Sequence, residues 1–211
     1  QRCGDGATYR WLCRRPPGRQ DNCQTAAGLD TLLVDTLLRV GPAQMVTPRP
    51  RTRHGVLPAT FDRSLLLPEY HAAMVAALGL CTRGLSRMLC LGVGGGALCM
   101  YLREMYPASM LVGVERDQCA IVLAQRYFGL RIGARLQLHT TCAADYLRRR
   151  RRHARQFDAV FLDASTSTAD ADAMCAPPAA LRCAAVIRQL RAALGEGGVL
   201  VVNTLGAARG V

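Results

Sequence analysis

The sequence predicts an α/β fold built on a mostly parallel sheet, and two observations carry this prediction. From Met88 onward, short apolar runs alternate with segments of helical pattern. A turn rich in glycine, Gly92 to Gly96, follows the first apolar run. Such alternation builds right-handed crossover units, in which helices cover both faces of a parallel sheet. The chain has 211 residues and is 50% hydrophobic, which is enough for one sizeable core.

The first part of the chain is expected to differ from the rest. Residues 1–55 predict a small N-terminal appendage, partly irregular or hairpin-like, in which Leu29 to Val40 fits either a strand pair or a short helix. Residues 56–211 predict the main domain. It begins with a helix over Pro68 to Leu80, because a proline there opens a continuous apolar face.

The main domain is predicted to alternate strands with helices. The expected strands are Met88 to Leu91, Met110 to Val114, Leu136 to His139, Ala159 to Leu162 and Val199 to Val202. The expected helices are about Ala97 to Tyr106, Gln118 to Phe128, Ala143 to Arg152 and Ala179 to Leu194. A complete domain of this type would add a helix and an antiparallel strand pair, so we expect C-terminal strands after Val211 to be missing.

The glycine turn lies where ligands bind in open α/β sheets, at the carboxyl end of a strand. Gly92, Gly94 and Ala97 match the G-x-G-x-x-A form of the dinucleotide fingerprint, and Glu115 ends the next strand, where a ribose-binding acid belongs. No lysine follows the glycines, which excludes a Walker-type phosphate site. The rest of the chain is too short to hold the substrate of a nicotinamide enzyme. S-adenosylmethionine fits better, and a plain strand-to-helix connection is the alternative.

Two further side chains are candidates for the reaction itself. Asp163 ends the apolar strand FDAVFLD and precedes a small polar loop that runs to Pro177 and Pro178. In a transferase it would accept a hydrogen bond from an attacking amine, or orient it, and the alternative is that it only caps the loop. His71, in the helix before the sheet, lies either near the substrate or in the packed core.

Several segments together resemble one family. They are DRSLLLPEYHAAMVAAL (Asp62 to Leu78), LGVGGGALCMYL, VGVERD (Val112 to Asp117), FDAVFLD (Phe157 to Asp163), MCAPPA (Met174 to Ala179) and LGEGGVLVVN (Leu194 to Asn203). They are similar to the spermidine-synthase-like C-terminal methyltransferase domain of the eukaryotic elongation factor 1-alpha lysine and N-terminal methyltransferase family. The resemblance implies a class I S-adenosylmethionine-dependent methyltransferase (Rossmann-like) fold. It also implies S-adenosylmethionine as cofactor and a protein amine as acceptor, such as the N-terminus of elongation factor 1-alpha.

The resemblance also assigns the site. Asp163 is implied as the catalytic residue, and the implied cofactor-binding residues are Gly92, Gly94, Gly95, Gly96, Glu115, Cys142, Ala143 and Asp163. The family has an Asp-Gly pair after the third strand, whose acid contacts the adenine amine, where this chain has Cys142 and Ala143. Losing one hydrogen bond to a charged acceptor costs about 1.5 to 3 kcal/mol. A catalytically degenerate methyltransferase-fold binding module therefore stays an alternative.

A second alternative is a polyamine aminopropyltransferase. In the resemblance, those enzymes carry an acid inside the glycine turn and a D-x-x-D pair after the fourth strand. This chain has Gly95 and, at the second position of the pair, Thr166. Two carboxylates that would bind a dicationic amine are thus absent, which weighs against polyamine synthesis.

Charge and composition limit the classes of partner that can be expected. The net charge of +12 favours a nucleic-acid partner. All 27 basic residues are arginine, however, a pattern that GC-rich codon usage also produces, so nucleic acid is not expected. The run Arg148 to Arg152 fits an acidic partner, RNA contact, nuclear targeting or a solvated loop.

The remaining expectations concern location and assembly. No apolar run long enough for a membrane span and no apolar leader are present, so we expect a cytoplasmic protein without a membrane partner. The cysteines lack the paired spacing of a zinc site, and we expect no metal. Pairing of two chains through the N-terminal appendage stays open.

Overall fold

The computed structural model describes residues 8–14, 33–40, 63, 66, 69–150, 156–165 and 174–206. Strands β1 (Thr8–Arg14) and β2 (Leu33–Val40) form an antiparallel pair. The segment expected as a strand pair or a short helix, Leu29 to Val40, thus contains one strand among its described residues, and the partner strand lies earlier in the chain. The other residues of the expected appendage lie outside the described ranges, as do Thr166 and residues 151–155 of the arginine-rich segment.

A five-stranded, all-parallel sheet forms the centre of the main domain. In chain order, the strands after β2 are β3 (Arg87–Leu91), β4 (Met110–Glu115), β5 (Leu136–Thr140), β6 (Phe157–Leu162), β7 (Met174–Ala176), β8 (Leu194–Val202) and β9 (Leu205–Gly206). The order across the sheet is β5-β4-β3-β6-β8. Strand order reverses between β3 and β6, which makes this the switch point where doubly wound sheets bind ligands. The predicted α/β fold is confirmed.

Six helices accompany the described strands. They are α1 (Glu69–Ala76), continued by a 3-10 turn (Ala77–Leu80), α2 (Ala97–Met105), α3 (Gln118–Tyr127), α4 (Ala143–Arg149), α5 (Ala179–Arg182) and α6 (Ala184–Ala193). The single helix expected over Ala179 to Leu194 is wrong, because Cys183 has extended backbone angles (φ −72°, ψ 152°) and separates α5 from α6. None of the described helices is both long and apolar enough to cross a bilayer.

The antiparallel pair of β7 and β9 was not predicted. The two strands have three and two residues, which is too short for a recognisable alternating pattern. The pair places the chain immediately before α5 next to the chain that follows β8. Both segments therefore lie close to the carboxyl edge of the main sheet.

Apolar side chains cover both faces of the sheet. On β3, Met88 and Cys90 pack with α1, α2 and α3, whereas Leu89 and Leu91 pack with α4, α5 and α6. Strands buried on both faces need apolar residues at every position rather than at alternate ones. This explains why the inner strands β3, β4 and β6 were visible in the sequence as largely apolar runs, whereas the edge strand β5 (LQLHT) alternates and is partly exposed.

Gly113 in β4 is required by close packing. A Cβ at this position would lie 2.5 Å from Leu138 Cδ2 and 2.9 Å from Val93 Cγ2. We expect Gly113→Ala to lower the free energy of unfolding by about 1 to 3 kcal/mol, because both neighbouring side chains must shift in a packed core. Urea denaturation measures this loss. Gly79→Ala is the control, since no heavy atom lies within 4 Å of its Cβ, and an equal loss in both variants would contradict the packing argument.

Candidate functional site

A cavity of about 440 Å³ opens at the carboxyl edge of the sheet, at the switch point between β3 and β6. The residues that follow β3, β4, β6 and β8 all contribute to its wall, together with α1, the start of α4 and the segment around α5. The lining residues include Tyr70, His71, Gly92, Val93, Gly94, Val114, Glu115, Arg116, Cys142, Ala143, Asp163, Pro178, Leu181, Asn203 and Leu205. The cavity is therefore lined by both apolar and polar side chains, as most small-molecule sites are.

The glycine turn presents little besides backbone to this cavity, and most of its N–H groups are already hydrogen-bonded. Gly92 N donates to Val114 O at 2.8 Å, and Gly96 N donates to Val93 O at 2.9 Å. Val93 N and Gly94 N both donate to Glu115 Oε2, at 3.0 and 3.1 Å. A ligand can therefore pack against the backbone of the turn, but the N–H groups of these four residues already donate to acceptors within the protein.

Glu115 connects the glycine turn to the next strand. It is the last residue of β4 and is only 4% exposed, although it is charged. Besides the two turn N–H groups, its carboxylate accepts from Asp117 N through Oε1 at 3.0 Å. These backbone donors fix the carboxylate at the cavity wall, and hydrogen bonds to an ionised acceptor are among the stronger ones.

Asp163 lies on the other side of the turn, directly after β6. Its Oδ1 accepts from Asn203 Nδ2 at 2.9 Å, and its Oδ2 is 2.8 Å from His71 Nε2. Its backbone N donates to Leu91 O, which extends the pairing of β3 and β6 by one residue. Side chains from α1 and from the end of β8 therefore hold the carboxylate at the cavity.

At the start of α4, Cys142 and Ala143 stand where the resemblance implies an Asp-Gly pair. Cys142 is the N-cap residue of α4, it is exposed, and its side chain makes no capping hydrogen bond. Asp145 does not replace the missing acid, because it is absent from the cavity lining and its Oδ1 pairs with Arg148 Nη2 at 2.8 Å. This wall of the cavity therefore presents a thiol and a methyl group where the family has a carboxylate.

The structure brings most of the predicted site residues together. Six of them line the cavity, namely Gly92, Gly94, Glu115, Cys142, Ala143 and Asp163. Gly95 and Gly96, at the end of the turn, are buried and do not line the cavity. The roles of all eight residues in binding and catalysis stay predictions.

Sequence reasoning missed Asn203 and left His71 undecided. Asn203 directly follows the apolar run at the end of β8, so the rule that found Glu115 and Asp163, a polar residue directly after an apolar run, would also have found it. His71 gave no comparable signal, because a single histidine in an apolar helix is common in protein cores.

A second cavity, of about 460 Å³, lies beside β5 and α4 and is lined by residues that include His139, Tyr146, Arg149 and Arg150. Burial raises the pKa of the Tyr146 phenol, an effect that the Arg150 guanidinium opposes. Burial also lowers the pKa of Arg150.

Within the described ranges, no three His, Cys, Asp or Glu side chains are grouped so as to hold a metal ion.

Comparisons with known proteins agree with the fold and with the resemblance. No protein-family model matches the chain. The bovine eEF1A lysine and N-terminal methyltransferase is 27% identical over 152 residues, which cover 68% of this chain and 22% of that protein. A polyamine aminopropyltransferase from Vibrio vulnificus (strain CMCP6) is 30% identical over 118 residues, which cover 56% of this chain and 37% of that protein. The chain therefore spans only about a fifth of the length of its methyltransferase relatives.

The same similarity is visible in three dimensions. The crystal structure of human methyltransferase-like protein 13 in complex with SAH has a TM-score of 0.58 and 24% sequence identity, and the match covers 66% of each chain. The fold is thus that of Rossmann-like methyltransferases, and the resemblance to the spermidine-synthase-like methyltransferase domain is confirmed.

Proposed function

We propose that the chain is an S-adenosylmethionine-dependent methyltransferase that modifies a protein amine. One observation carries this proposal: Glu115 and Asp163 flank the glycine turn at the switch point of the sheet, and both line one cavity. The first carboxylate suits the hydroxyl groups of a ribose, and the second suits an amine that approaches from outside.

The residues present fit this cofactor. The cavity volume of about 440 Å³ lies in the range of small-molecule sites. Glu115 would hold the ribose hydroxyls, and the apolar side chains of Val114 and Leu181 would pack against the adenine. When bound, S-adenosylmethionine would supply a methyl group on a sulfonium sulfur, an electrophilic carbon that an amine lone pair can attack with SAH as the leaving group. The Cys142 wall lacks a charged acceptor, so we expect the adenine amine to be held less firmly there.

The hydrogen bonds of the turn disfavour a dinucleotide. A pyrophosphate in a Rossmann site is neutralised by backbone N–H groups at the glycine turn and at the helix start. Here the N–H groups of Gly92, Val93, Gly94 and Gly96 donate within the protein. A cofactor without phosphate loses nothing by this arrangement, which supports S-adenosylmethionine over a nicotinamide dinucleotide.

Asp163 would act on the acceptor amine. Its anchored carboxylate can accept a hydrogen bond from an amine N–H and so direct the nitrogen lone pair into the cavity. After the new N–C bond has formed, the same carboxylate can take up the proton that the nitrogen releases. The name of the bovine relative supports eEF1A as the acceptor, through either a lysine or the N-terminal amine, and the resemblance of this domain favours the N-terminal amine. A cytoplasmic location follows from such an acceptor.

A polyamine aminopropyltransferase is the second candidate, supported by the relative from Vibrio vulnificus. Calorimetric titration with S-adenosylmethionine and with its decarboxylated analogue separates the two, since only the aminopropyltransferase uses the decarboxylated form. We expect tighter binding of S-adenosylmethionine. A preference for the analogue would favour polyamine synthesis, and the absence of binding to either ligand would favour a degenerate binding module.

We expect replacement of Glu115 to weaken cofactor binding. In Glu115→Gln, the amide oxygen can still accept from Val93 N and Gly94 N, so the turn keeps these two bonds. The negative charge is lost, and the NH2 group cannot accept from Asp117 N as Oε1 does. The Kd for S-adenosylmethionine should rise about 10- to 100-fold, the effect of one lost hydrogen bond to a charged group. Calorimetry of the variant and the unmodified chain measures this change.

A modified cofactor provides the control for this prediction. An analogue without the 2′- and 3′-hydroxyl groups of the ribose should bind both proteins with nearly equal, weakened affinity, because the partners of Glu115 are already missing. If Glu115→Gln weakened both ligands by the same factor, Glu115 would support the turn without contacting the ribose, and our placement of the ribose would be wrong.

A further inference from the structure

His71 is the most deeply buried polar side chain of the site. Only 2% of the residue is exposed, and it lies in α1, outside the sheet that carries the other site residues. Its Nε2 is 2.8 Å from Asp163 Oδ2, and its ring packs against Tyr70 with a centroid distance of 4.2 Å. The imidazole is thus held on one side by an aromatic ring and directed at the carboxylate.

The surroundings of the second ring nitrogen, Nδ1, indicate which nitrogen of this imidazole carries the proton. His71 Nδ1 is buried and has no hydrogen-bond partner among the described residues. A proton on Nδ1 would be a buried donor without an acceptor, which is costly, whereas a bare Nδ1 leaves a neutral ring with its proton on Nε2. Since Asp163 Oδ2 is an acceptor, the Nε2–H form is the one that this geometry stabilises.

We propose that His71 is a positioning residue that acts through Asp163. As a neutral Nε2–H donor it fixes Oδ2, while Asn203 fixes Oδ1, so the carboxylate is held from both ends by uncharged donors. Asp163 thereby keeps its full negative charge for the acceptor amine. An imidazolium at the same position would instead neutralise the carboxylate. This role rests on the proposed methyl transfer, in which Asp163 receives the amine.

Three substitutions test the role. His71→Leu removes the donor and fills the space with apolar atoms, and we expect kcat to fall about 10- to 100-fold while the KM for S-adenosylmethionine changes less than about twofold. His71→Gln places an amide N–H at about the reach of Nε2 and should restore kcat to within about threefold of the unmodified chain. His139→Gln is the matched control, because His139 is exposed and lines the other cavity, and it should leave kcat unchanged.

Turnover is followed as SAH released when purified bovine eEF1A is the acceptor. If His71→Gln were as slow as His71→Leu, donation of a neutral hydrogen bond would not be the function of His71, and the proposal would be overturned. An unchanged kcat in His71→Leu would overturn it as well. A larger KM for the cofactor with an unchanged kcat would show that His71 binds the cofactor instead.

A readout without turnover separates this inference from the proposed function. Nitrogen NMR of the histidine rings in the full chain distinguishes a protonated from a bare ring nitrogen, and the signals that vanish in His71→Gln belong to His71. We expect a neutral ring with the proton on Nε2 at pH 7. A proton on Nδ1 overturns the inference even if the enzyme is active, whereas the expected form in a chain inactive on eEF1A would contradict the proposed acceptor alone.

Discussion

Gly92→Ala is expected to destabilise the protein and to disrupt the site at once. Gly92 has φ +99°, a conformation that residues with a Cβ rarely adopt. An added Cβ would overlap the Asp163 carbonyl oxygen and would lie 2.7 Å from the Asp163 carbonyl carbon. Both neighbours are backbone atoms at the end of β6, so no side chain can rotate away. We expect a loss of about 3 kcal/mol or more in the free energy of unfolding, from backbone strain and overpacking together.

The same substitution should also weaken cofactor binding by more than about tenfold, because relief of the overlap pushes the turn away from Asp163. Urea denaturation and calorimetry with S-adenosylmethionine measure the two effects. Gly84→Ala is the control, since its added Cβ meets no heavy atom within 4 Å and its stability should change by less than about 0.5 kcal/mol. A Gly92→Ala variant with unchanged stability would mean that the turn and the end of β6 are not packed as described.

This role of Gly92 differs from the one that the motif suggested. The glycine pattern was interpreted as room for a ligand, but the nearest obstacle to a Cβ at Gly92 is the protein backbone, and at Gly96 it is the Leu130 side chain. The fingerprint therefore describes close packing of the turn against the end of β6 and against Leu130, which follows α3, as much as a ligand contact. A sequence pattern cannot separate the two, because both demand the same residue.

The strand ends, in contrast, could be predicted. Strands buried on both faces are continuous apolar runs, so the first acid after such a run is easily found, and Glu115 and Asp163 were found in this way. Their partners could not be predicted. Glu115 bonds to N–H groups 21 and 22 residues earlier, and His71 lies 92 residues before Asp163. Contacts of this separation depend on strand order, which the sequence pattern leaves open.

Asp163→Asn should abolish most turnover while leaving the cofactor bound. The amide keeps the size of the carboxylate, and its oxygen can still accept from Asn203 Nδ2. Its NH2 group faces His71 Nε2, so the ring proton must move to the buried Nδ1, where it has no acceptor among the described residues. We expect this to cost about 1 to 3 kcal/mol of stability and to leave the variant folded, with its cavity intact. The variant loses the charge that orients the amine and takes its proton, and we expect kcat to fall about 10²- to 10⁴-fold, as for other general bases. Release of SAH with eEF1A as acceptor measures turnover, and calorimetry measures binding of S-adenosylmethionine.

Asp158→Asn, in the strand that precedes Asp163, is the matched control. Asp158 Oδ2 accepts from Ser86 N, Ser86 Oγ and Arg87 N near the start of β3, outside the cavity lining, so its amide variant should alter stability but not kcat. Two results would count against the assigned role. If the kcat of Asp163→Asn stayed within about threefold of that of the unmodified chain, the role of Asp163 would be structural, through its hydrogen bonds to His71 and Asn203. If it lost the cofactor instead, Asp163 would be a binding residue, and the group that receives the amine proton would have to lie elsewhere in the cavity.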